Sequence, residues 1–382
     1  MKRWSIALLS FLLILASCAP EDTDDEQVVQ ENEDAEQQTS IVPSYKLNDE
    51  SYRVILPYQT SEARGVITNQ MGNRVDIDEL EQGLMRHSKD IFDPEELYFQ
   101  EGQYLNSNHI FGWIDANNPQ LDEDELEDME DEDKIKTYKN NPRILTHILE
   151  QNYLKRNEDN TVEIAGISIG IALKSVYRFQ TDIGEPSHYE DIPMDEMLEK
   201  GNEVAQAILT EMRVESDESP DVPDVPIMIA LYREEEHSSP VPGNFVAKTV
   251  VESGQSKINN WDTIKEENIL FPSNEGKDKY PEDHEIISSF GTEIGEFFPN
   301  YVGVIGRGFY VNEELRKLTI EIPIEFYGKG EVIGFTQYTY GLIMDMFANN
   351  FDLEVRITSS EGLESLITRE YGDEEPTVNI LD

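Results

Sequence analysis

The sequence predicts an α+β fold in which helices pack on mixed or antiparallel sheets. Residues 318–326 alternate apolar and polar side chains, as a half-buried strand does. Residues 194–212 place apolar side chains at helical spacing. The order helix, strand, strand, helix, strand occurs twice, in residues 142–233 and 285–358. We therefore expect two similar units, preceded by an N-terminal segment.

The first 17 residues have the pattern of a secretory signal peptide. Lys2 and Arg3 precede an apolar run over residues 4–15, which is shorter than the roughly 20 residues that span a bilayer. The run ends in Leu15-Ala16-Ser17-Cys18, which has the form of a lipobox. We expect signal peptidase II to recognise Leu15, Ala16 and Ser17, and Cys18 to carry a diacylglyceryl anchor on the outer face of the cell membrane.

Composition restricts the function classes that remain. Asp and Glu number 79 against 30 Lys and Arg, which gives a formal net charge of −49. Nucleic acid binding requires clustered basic side chains, and the sequence has no such cluster. With Cys18 acylated, no thiol is left for a disulfide.

The segment from 18 to 44 is expected to be a disordered acidic tether. Residues 21–36 include nine acidic residues and no basic one, so the segment lacks apolar surface to offset the entropy of ordering.

The N-terminal segment proper covers residues 45–135. Short strands are predicted at 52–56 and 65–68, a helix capped by Asp76 at 77–88, and a short helix from Asp93-Pro94 to Tyr98. The acidic run 122–133 lacks the central glycine of a calcium-binding loop. We interpret it as a solvated helix or loop.

The first repeat is assigned to residues 136–272. We predict a helix at 142–154, a buried strand at 162–173, a helix at 194–212, and strands at 227–232 and 245–251, with 261–272 as connecting structure. Gly166-Ile167-Ser168-Ile169-Gly170 matches the nucleophile elbow of serine hydrolases in form, but the sequence lacks the strand, turn and helix context. A hydrolase using Ser168 remains an alternative to an ordinary strand.

The second repeat is assigned to residues 282–382, after a domain boundary at 273–281. Helices are predicted at 286–298 and 335–347, and strands at 301–311, 318–326 and 353–357. The sequence contains no HExxH pair, cysteine cluster or phosphate-binding loop. We therefore expect no enzymatic activity, no cofactor and no metal.

Several ordered stretches together resemble one protein family. They are Ser61 to Val66, Asn69 to Arg74, Asp76 to Arg86, and Phe99 to Leu105. The sequence resembles the CamS family, lipoproteins of low-GC Gram-positive bacteria that are known as sex pheromone precursors. The resemblance covers the chain from about Tyr45 to the C-terminus, with the lipobox in the expected place.

The resemblance implies that the cleaved signal peptide is trimmed to a hydrophobic pheromone acting in conjugative plasmid transfer. The corresponding residues are Phe11, Leu12, Leu13, Ile14, Leu15, Ala16 and Ser17. The Ile-Leu-Ala-Ser ending is similar to the family's pheromone, whereas the first three residues depart from it. The peptidase itself demands aliphatic and small residues at this position, so an inactive peptide is the open alternative.

The remaining hypothesis concerns the exported domain. It is an extracytoplasmic binding protein in which Arg64, Asn69, Asn73 and Arg74 line a pocket or partner surface. The expected partners are otherwise the membrane and the enzymes that process prolipoproteins. The sequence identifies no partner for the domain itself.

Overall fold

Two mixed β-sheets with helices packed on them organise the molecule. The computed structural model describes residues 26–31, 37–42, 51–214, 219–298, 301–325 and 328–381. Within these residues the strands form a seven-stranded and a six-stranded sheet, with two additional two-stranded sheets. The predicted α+β class is confirmed.

Part of the expected tether is a β-hairpin. Strands β1 (Glu26–Glu31) and β2 (Gln37–Val42) pair antiparallel. Val28 and Val42 are fully buried in a small cluster with Ile55, Tyr98 and Leu154. The expectation of coil fails here because the apolar partners of the two valines come from residues outside 18–44, which the composition of that segment cannot reveal.

The first unit contains most of the helices and nine strands of the described chain. In order they are β3 (Arg53–Val54), α1 (Val66–Gln70), α2 (Arg74–Ser88), β4 (Leu97–Glu101), α3 (Ser107–Asn117), α4 (Glu123–Glu127), α5 (Asp131–Asn140), β5 (Leu145–Arg156), β6 (Val162–Lys174), β7 (Val176–Phe179), β8 (His188–Asp191), α6 (Met194–Met212), β9 (Ile227–Glu234), β10 (Asn244–Val251) and β11 (Asp262–Thr263).

The seven-stranded sheet has helices on both faces. Its strand order is β11-β10-β9-β6-β5-β4-β3. At its centre β6 and β9 run parallel, and α6 lies between them in the chain. Apolar side chains of α3 and α6 pack on one face, and those of α2 pack on the other. A sheet that is covered on both faces buries its central strands almost completely.

Burial on both faces explains the main error of the sequence prediction. Residues 142–154 were predicted as a helix, but Leu145–Arg156 form β5. Ile148 packs on one face of the sheet and Leu149 on the other. Such a strand shows no alternation of apolar and polar residues, so the spacing of its apolar side chains resembled a helical stripe.

Four smaller differences affect the N-terminal segment and the connection to the second unit. The strand predicted at 65–68 is the helix α1 (Val66–Gln70). The predicted short helix after Asp93 is a turn that leads into β4. Helix α2 is capped by Asn73, whose side chain accepts from the N–H of Val75, and not by Asp76. Residues 261–272 contain β11 and a strand of the second sheet.

The second unit forms the six-stranded sheet. Its elements are β12 (Glu266–Phe271), α7 (Asn274–Lys279), α8 (Pro281–Phe297), β13 (Ile305–Val311), β14 (Glu314–Pro323), α9 (Lys329–Met346), β15 (Asp352–Ser359), β16 (Gly362–Arg369) and β17 (Thr377–Ile380). Because β12 belongs to this sheet, the boundary predicted at 273–281 lies inside the second unit.

The two units share a topology. In the first, β5 and β6 pair antiparallel, α6 follows, and β9 runs parallel to β6 before turning back into β10. In the second, β13, β14, α9, β15 and β16 follow the same order with the same directions. The order that the two units share is therefore strand, strand, helix, strand, strand, and the leading helix that the sequence predicted for both units is not part of it, because β5 corresponds to β13.

Candidate functional site

A cavity of about 260 Å³ lies where β4 ends beside β5. The pairing of the two strands stops at Glu101 opposite Gln151, followed by a hydrogen bond from the N–H of Gly102 to the carbonyl of Glu150. Beyond that point, residues 147–149 of β5 line the cavity. Residues 58–65 and the helices α1, α2 and α3 supply its other walls.

The interior of the cavity is largely apolar. Its larger apolar lining residues are Ile67, Met85, Phe99, Leu105, Ile110, Ile148 and Leu149. These side chains belong to the two cores that cover opposite faces of the first sheet. The cavity therefore sits at a gap in the sheet, where the layers on its two faces meet.

Glu101 fixes the loop that forms one wall. Its carboxylate accepts hydrogen bonds from the hydroxyl of Tyr58 and the backbone N–H of Ser61, both at 2.8 Å. Nε of Arg64 lies 3.7 Å from Oε1 of Glu101, and the Arg64 side chain is 61% exposed. An exposed ion pair of this length contributes little to stability.

Glu150 anchors the loop that follows β4. Its carboxylate accepts from the N–H groups of Gln103, Tyr104 and Leu105 at 3.1, 3.2 and 2.7 Å. Burial raises the pKa of Glu150 to about 7, although the three backbone N–H donors favour the ionised form and oppose this increase. A Cβ on Gly102 would lie 2.5 Å from the Glu150 side chain, which explains a glycine at this position.

His147 is the buried polar group without a partner in this wall. Its side chain is 2% exposed, and its Nδ1 has no hydrogen-bond partner among the described residues. Burial lowers the pKa of His147 to about 3, so the imidazole is neutral at physiological pH. Buried polar atoms normally have a partner, so His147 is one of several unsatisfied buried polar groups among the described residues.

Glu81 stands at the mouth of the cavity, on α2. Partial burial raises the pKa of its carboxyl, and the nearby charges of Asp78 and Glu101 raise it further. Its backbone carbonyl accepts a hydrogen bond of 2.8 Å from Nε2 of Gln151. The charges of Arg74 and Arg64 oppose this increase of the pKa, so acidic and basic side chains both surround the Glu81 carboxyl.

The four residues predicted to form a binding surface do not lie together in one site. Arg64 lines the cavity, and Asn69 belongs to α1. Asn73 caps α2 and donates from Nδ2 to the carbonyl of Ser239 at 2.9 Å. Arg74 pairs with Asp78 at 2.9 Å on the helix surface. Asn73 and Arg74 thus make contacts within the domain, and neither lines the cavity.

Ser168 does not form a nucleophile elbow. It lies in the middle of β6 and is fully buried. The glycines on either side allow close packing, since a Cβ on Gly166 would lie 2.0 Å from the ring of Phe92 and one on Gly170 would lie 3.2 Å from Leu80. The motif is explained by packing, and the strained turn of a hydrolase is not present.

Sequence reasoning missed His147 and Glu150 because their segment was predicted to be a helix. One signal was available. Gly102 and Gln103 lie in the stretch Phe99 to Leu105 that carries the family resemblance, and both contact Glu150.

The predicted signal peptide, with Leu15, Ala16, Ser17 and Cys18, lies outside the described residues. Across the part of the chain that the structure describes, no helix is both long and apolar enough to cross a membrane. The same residues hold no group of three or more side chains suited to binding a metal ion.

Comparison with known proteins identifies relatives over most of the chain. The family model "CamS sex pheromone cAM373 precursor" matches residues 58–375. No curated protein matches the chain.

Two solved structures support the same assignment. A sex pheromone precursor from Lactobacillus salivarius subsp. salivarius UCC118 is 28% identical, with a TM-score of 0.77 over 89% of this chain and 98% of that one. The C-terminal domain of the sex pheromone staph-cAM373 precursor from Staphylococcus aureus is 26% identical, with a TM-score of 0.66 over 83% and 99%.

Proposed function

Because the chain belongs to the CamS family, we propose that it is a lipid-anchored pheromone precursor on the outer face of the cell membrane. In this proposal Cys18 carries the diacylglyceryl anchor, and the peptide from Phe11 to Ser17 is released as a conjugation signal. The observation that carries the proposal is the lipobox Leu15-Ala16-Ser17-Cys18 after a short apolar run, in a member of a family of pheromone precursors.

The exported domain is proposed to be non-catalytic. The serine of its one hydrolase-like motif, Ser168, is fully buried within a strand. A nucleophile must reach its substrate, so burial of Ser168 supports a precursor or binding role over acyl transfer.

The anchor is tested by labelling cells with palmitate and recovering the protein. We expect label in the wild type and none in Cys18→Ala, because the thiol is the acylation site. Mass spectrometry should find modified Cys18 as the first residue of the mature protein. Equal labelling of both proteins, or a different N-terminus, would overturn the anchor.

The pheromone is tested in the culture medium. Mass spectrometry should detect a peptide that ends at Ser17 in medium of wild-type cells and not of Cys18→Ala cells, whose precursor is not processed. The synthetic peptide from Phe11 to Ser17 should induce clumping of plasmid-bearing cells, whereas a scrambled peptide should not. If the medium of cells that make the mature protein lacks the peptide, the signalling role is lost and the anchor stands alone.

A second candidate function is ligand binding by the exported domain. The specific observation in its favour is the cavity of about 260 Å³ beside β5, whose lining is largely apolar and includes Glu81, Glu101 and Glu150. The two functions are compatible, since one belongs to the signal peptide and the other to the folded domain.

A further inference from the structure

We propose that the cavity beside β5 binds a small primary amine with an apolar tail, its ammonium group held near Glu101 and Glu81 and its tail between Ile67, Phe99 and Ile148. This inference rests on the ligand-binding function proposed above and names the chemical class of its ligand.

The charges of the cavity favour a cation. Glu81, Glu101 and Glu150 all line it, and Arg64 is the basic residue in the same wall. Arg64 is mostly exposed, and its Nε lies 3.7 Å from Oε1 of Glu101, so three carboxyl groups line the cavity against one guanidinium. An anionic ligand would be repelled by the same carboxylates.

The hydrogen-bonding groups favour a donor. Glu101 already accepts from Tyr58 and Ser61, which are neutral, and a carboxylate has about four acceptor positions. An ammonium group has three donors and no acceptor, and would use the free acceptor positions of Glu101.

The size and the apolar walls define the rest of the ligand. Sites for drug-sized molecules have volumes of about 300–1,000 Å³, and this cavity of about 260 Å³ is smaller. Apolar side chains from α1, β4 and β5 line its interior, so burial of a hydrocarbon tail contributes about 25 cal/mol per Å². A metal ion does not fit these walls, because the described residues hold no cluster of three ligating side chains.

The test compares three probes that share one tail and differ in their head group. Phenethylamine, 2-phenylethanol and 3-phenylpropionate are titrated into the full-length lipoprotein in detergent at neutral pH, by calorimetry. We expect saturable binding of phenethylamine, with affinity at least tenfold above those of the alcohol and the carboxylate.

Four variants locate the site. Glu101→Gln and Glu81→Gln should each weaken phenethylamine binding at least fivefold, whereas Glu252→Gln, at an exposed position after β10, should not change it. Ala63→Trp, which places a large side chain in the lining of the cavity, should abolish it. Thermal unfolding of each variant confirms that it is folded, and Glu81→Gln still tests the site if the loop in Glu101→Gln is disturbed.

The outcomes separate the two claims. If the alcohol or the carboxylate binds as tightly as the amine and Ala63→Trp abolishes that binding, the domain is a binding protein and the amine inference is overturned. If none of the three probes binds, both the amine inference and the ligand-binding function proposed for this cavity fail. If phenethylamine binds equally to wild type and Ala63→Trp, the proposed site is wrong.

Discussion

Glu234 ends β9 with its carboxyl group buried next to Lys174, the residue opposite it on β6. Burial raises the pKa of Glu234 to about 7. The Thr146 hydroxyl and the Lys174 ammonium favour the ionised form, but their effect is smaller than that of burial. The folded state therefore binds this proton more tightly than the unfolded chain does, where the pKa is about 4.5. A raised acid pKa stabilises the fold at low pH, and that contribution is lost as the pH rises through about 7.

Replacing Glu234 with Gln should flatten this pH dependence. Relative to Glu234→Gln, the wild type should lose up to about 3 kcal/mol of unfolding free energy between pH 5 and pH 8. Urea denaturation at the two pH values measures the difference, and Glu252→Gln, an exposed position, is the control. If all three proteins show the same dependence, Glu234 is ionised throughout this range.

The polar site residues could be predicted from sequence only where they lie outside buried strands. Arg64 was predicted from a polar stretch, and the structure places it at the cavity. His147 and Glu150 were not, because their strand is buried on both faces and resembled a helix. A polar residue becomes informative only after its element is known, since the same histidine on a helix face would be unremarkable.

At the scale of elements, one arginine on α2 connects the two units. Nη2 of Arg86 contacts Glu79 at 2.7 Å and Glu266 of β12 at 3.1 Å, and its guanidinium lies 4.6 Å from the ring of Phe309. Nε2 of His87 lies 3.2 Å from Glu266. Burial opposes ionisation of Glu266, but His87 and Arg86 hold its pKa below the ordinary value. The contact therefore keeps a charged carboxylate buried between the sheets.

Removing that arginine should destabilise the molecule strongly. Arg86→Met leaves Glu79 and Glu266 without their cation, and breaking a buried ion pair costs about 3–5 kcal/mol. Because the Arg86 side chain is 34% exposed, we expect the lower end of that range. Arg74→Met on the same helix breaks only an exposed pair with Asp78 and should cost less than about 0.5 kcal/mol.

Chemical denaturation followed by two probes, one in each sheet, measures the loss of unfolding free energy and shows whether the two sheets unfold together. Two separate transitions in Arg86→Met, against a single common transition in the wild type, would show that this contact couples the units. Equal stability of the two variants would contradict the role assigned to Arg86.

Helices and strands with one clear pattern of buried side chains were predicted from the sequence, and those without such a pattern were missed. The predicted helix at 194–212 and the strands β6, β9 and β10 are confirmed, because each has one dominant period or a continuous apolar run. β16 and β17 were missed, since their apolar residues are few and β17 is exposed along its length. The helices α8 and α9 both pack on the same face of the second sheet, which explains the clean alternation in β14 and β15.

For the molecule as a whole, the N-terminal hairpin shortens the connection to the proposed anchor. Glu26 already belongs to β1, whose Val28 is buried against the first unit. Eight links separate Cys18 from Glu26, so this stretch reaches at most about 30 Å. An anchored chain would therefore hold the hairpin close to the lipid headgroups, whereas coil through residue 44 would let the domain move much farther away.

Detaching the hairpin tests this arrangement. Val28→Asp places a charge where the side chain is fully buried, and an unpaired buried carboxylate costs several kcal/mol, so the hairpin should leave the first unit instead. Each 1.4 kcal/mol changes the equilibrium between the packed and the detached hairpin about tenfold. The rate of proteolysis follows the population of the detached form. A Glu-specific protease should therefore cut within residues 26–42 at least tenfold faster than in wild type. Ile41→Asp, at a side chain 37% exposed on the same hairpin, should leave the rate unchanged. Equal cleavage of wild type and Val28→Asp would mean that the hairpin does not hold residues 26–42 against the domain, and that the long tether is correct.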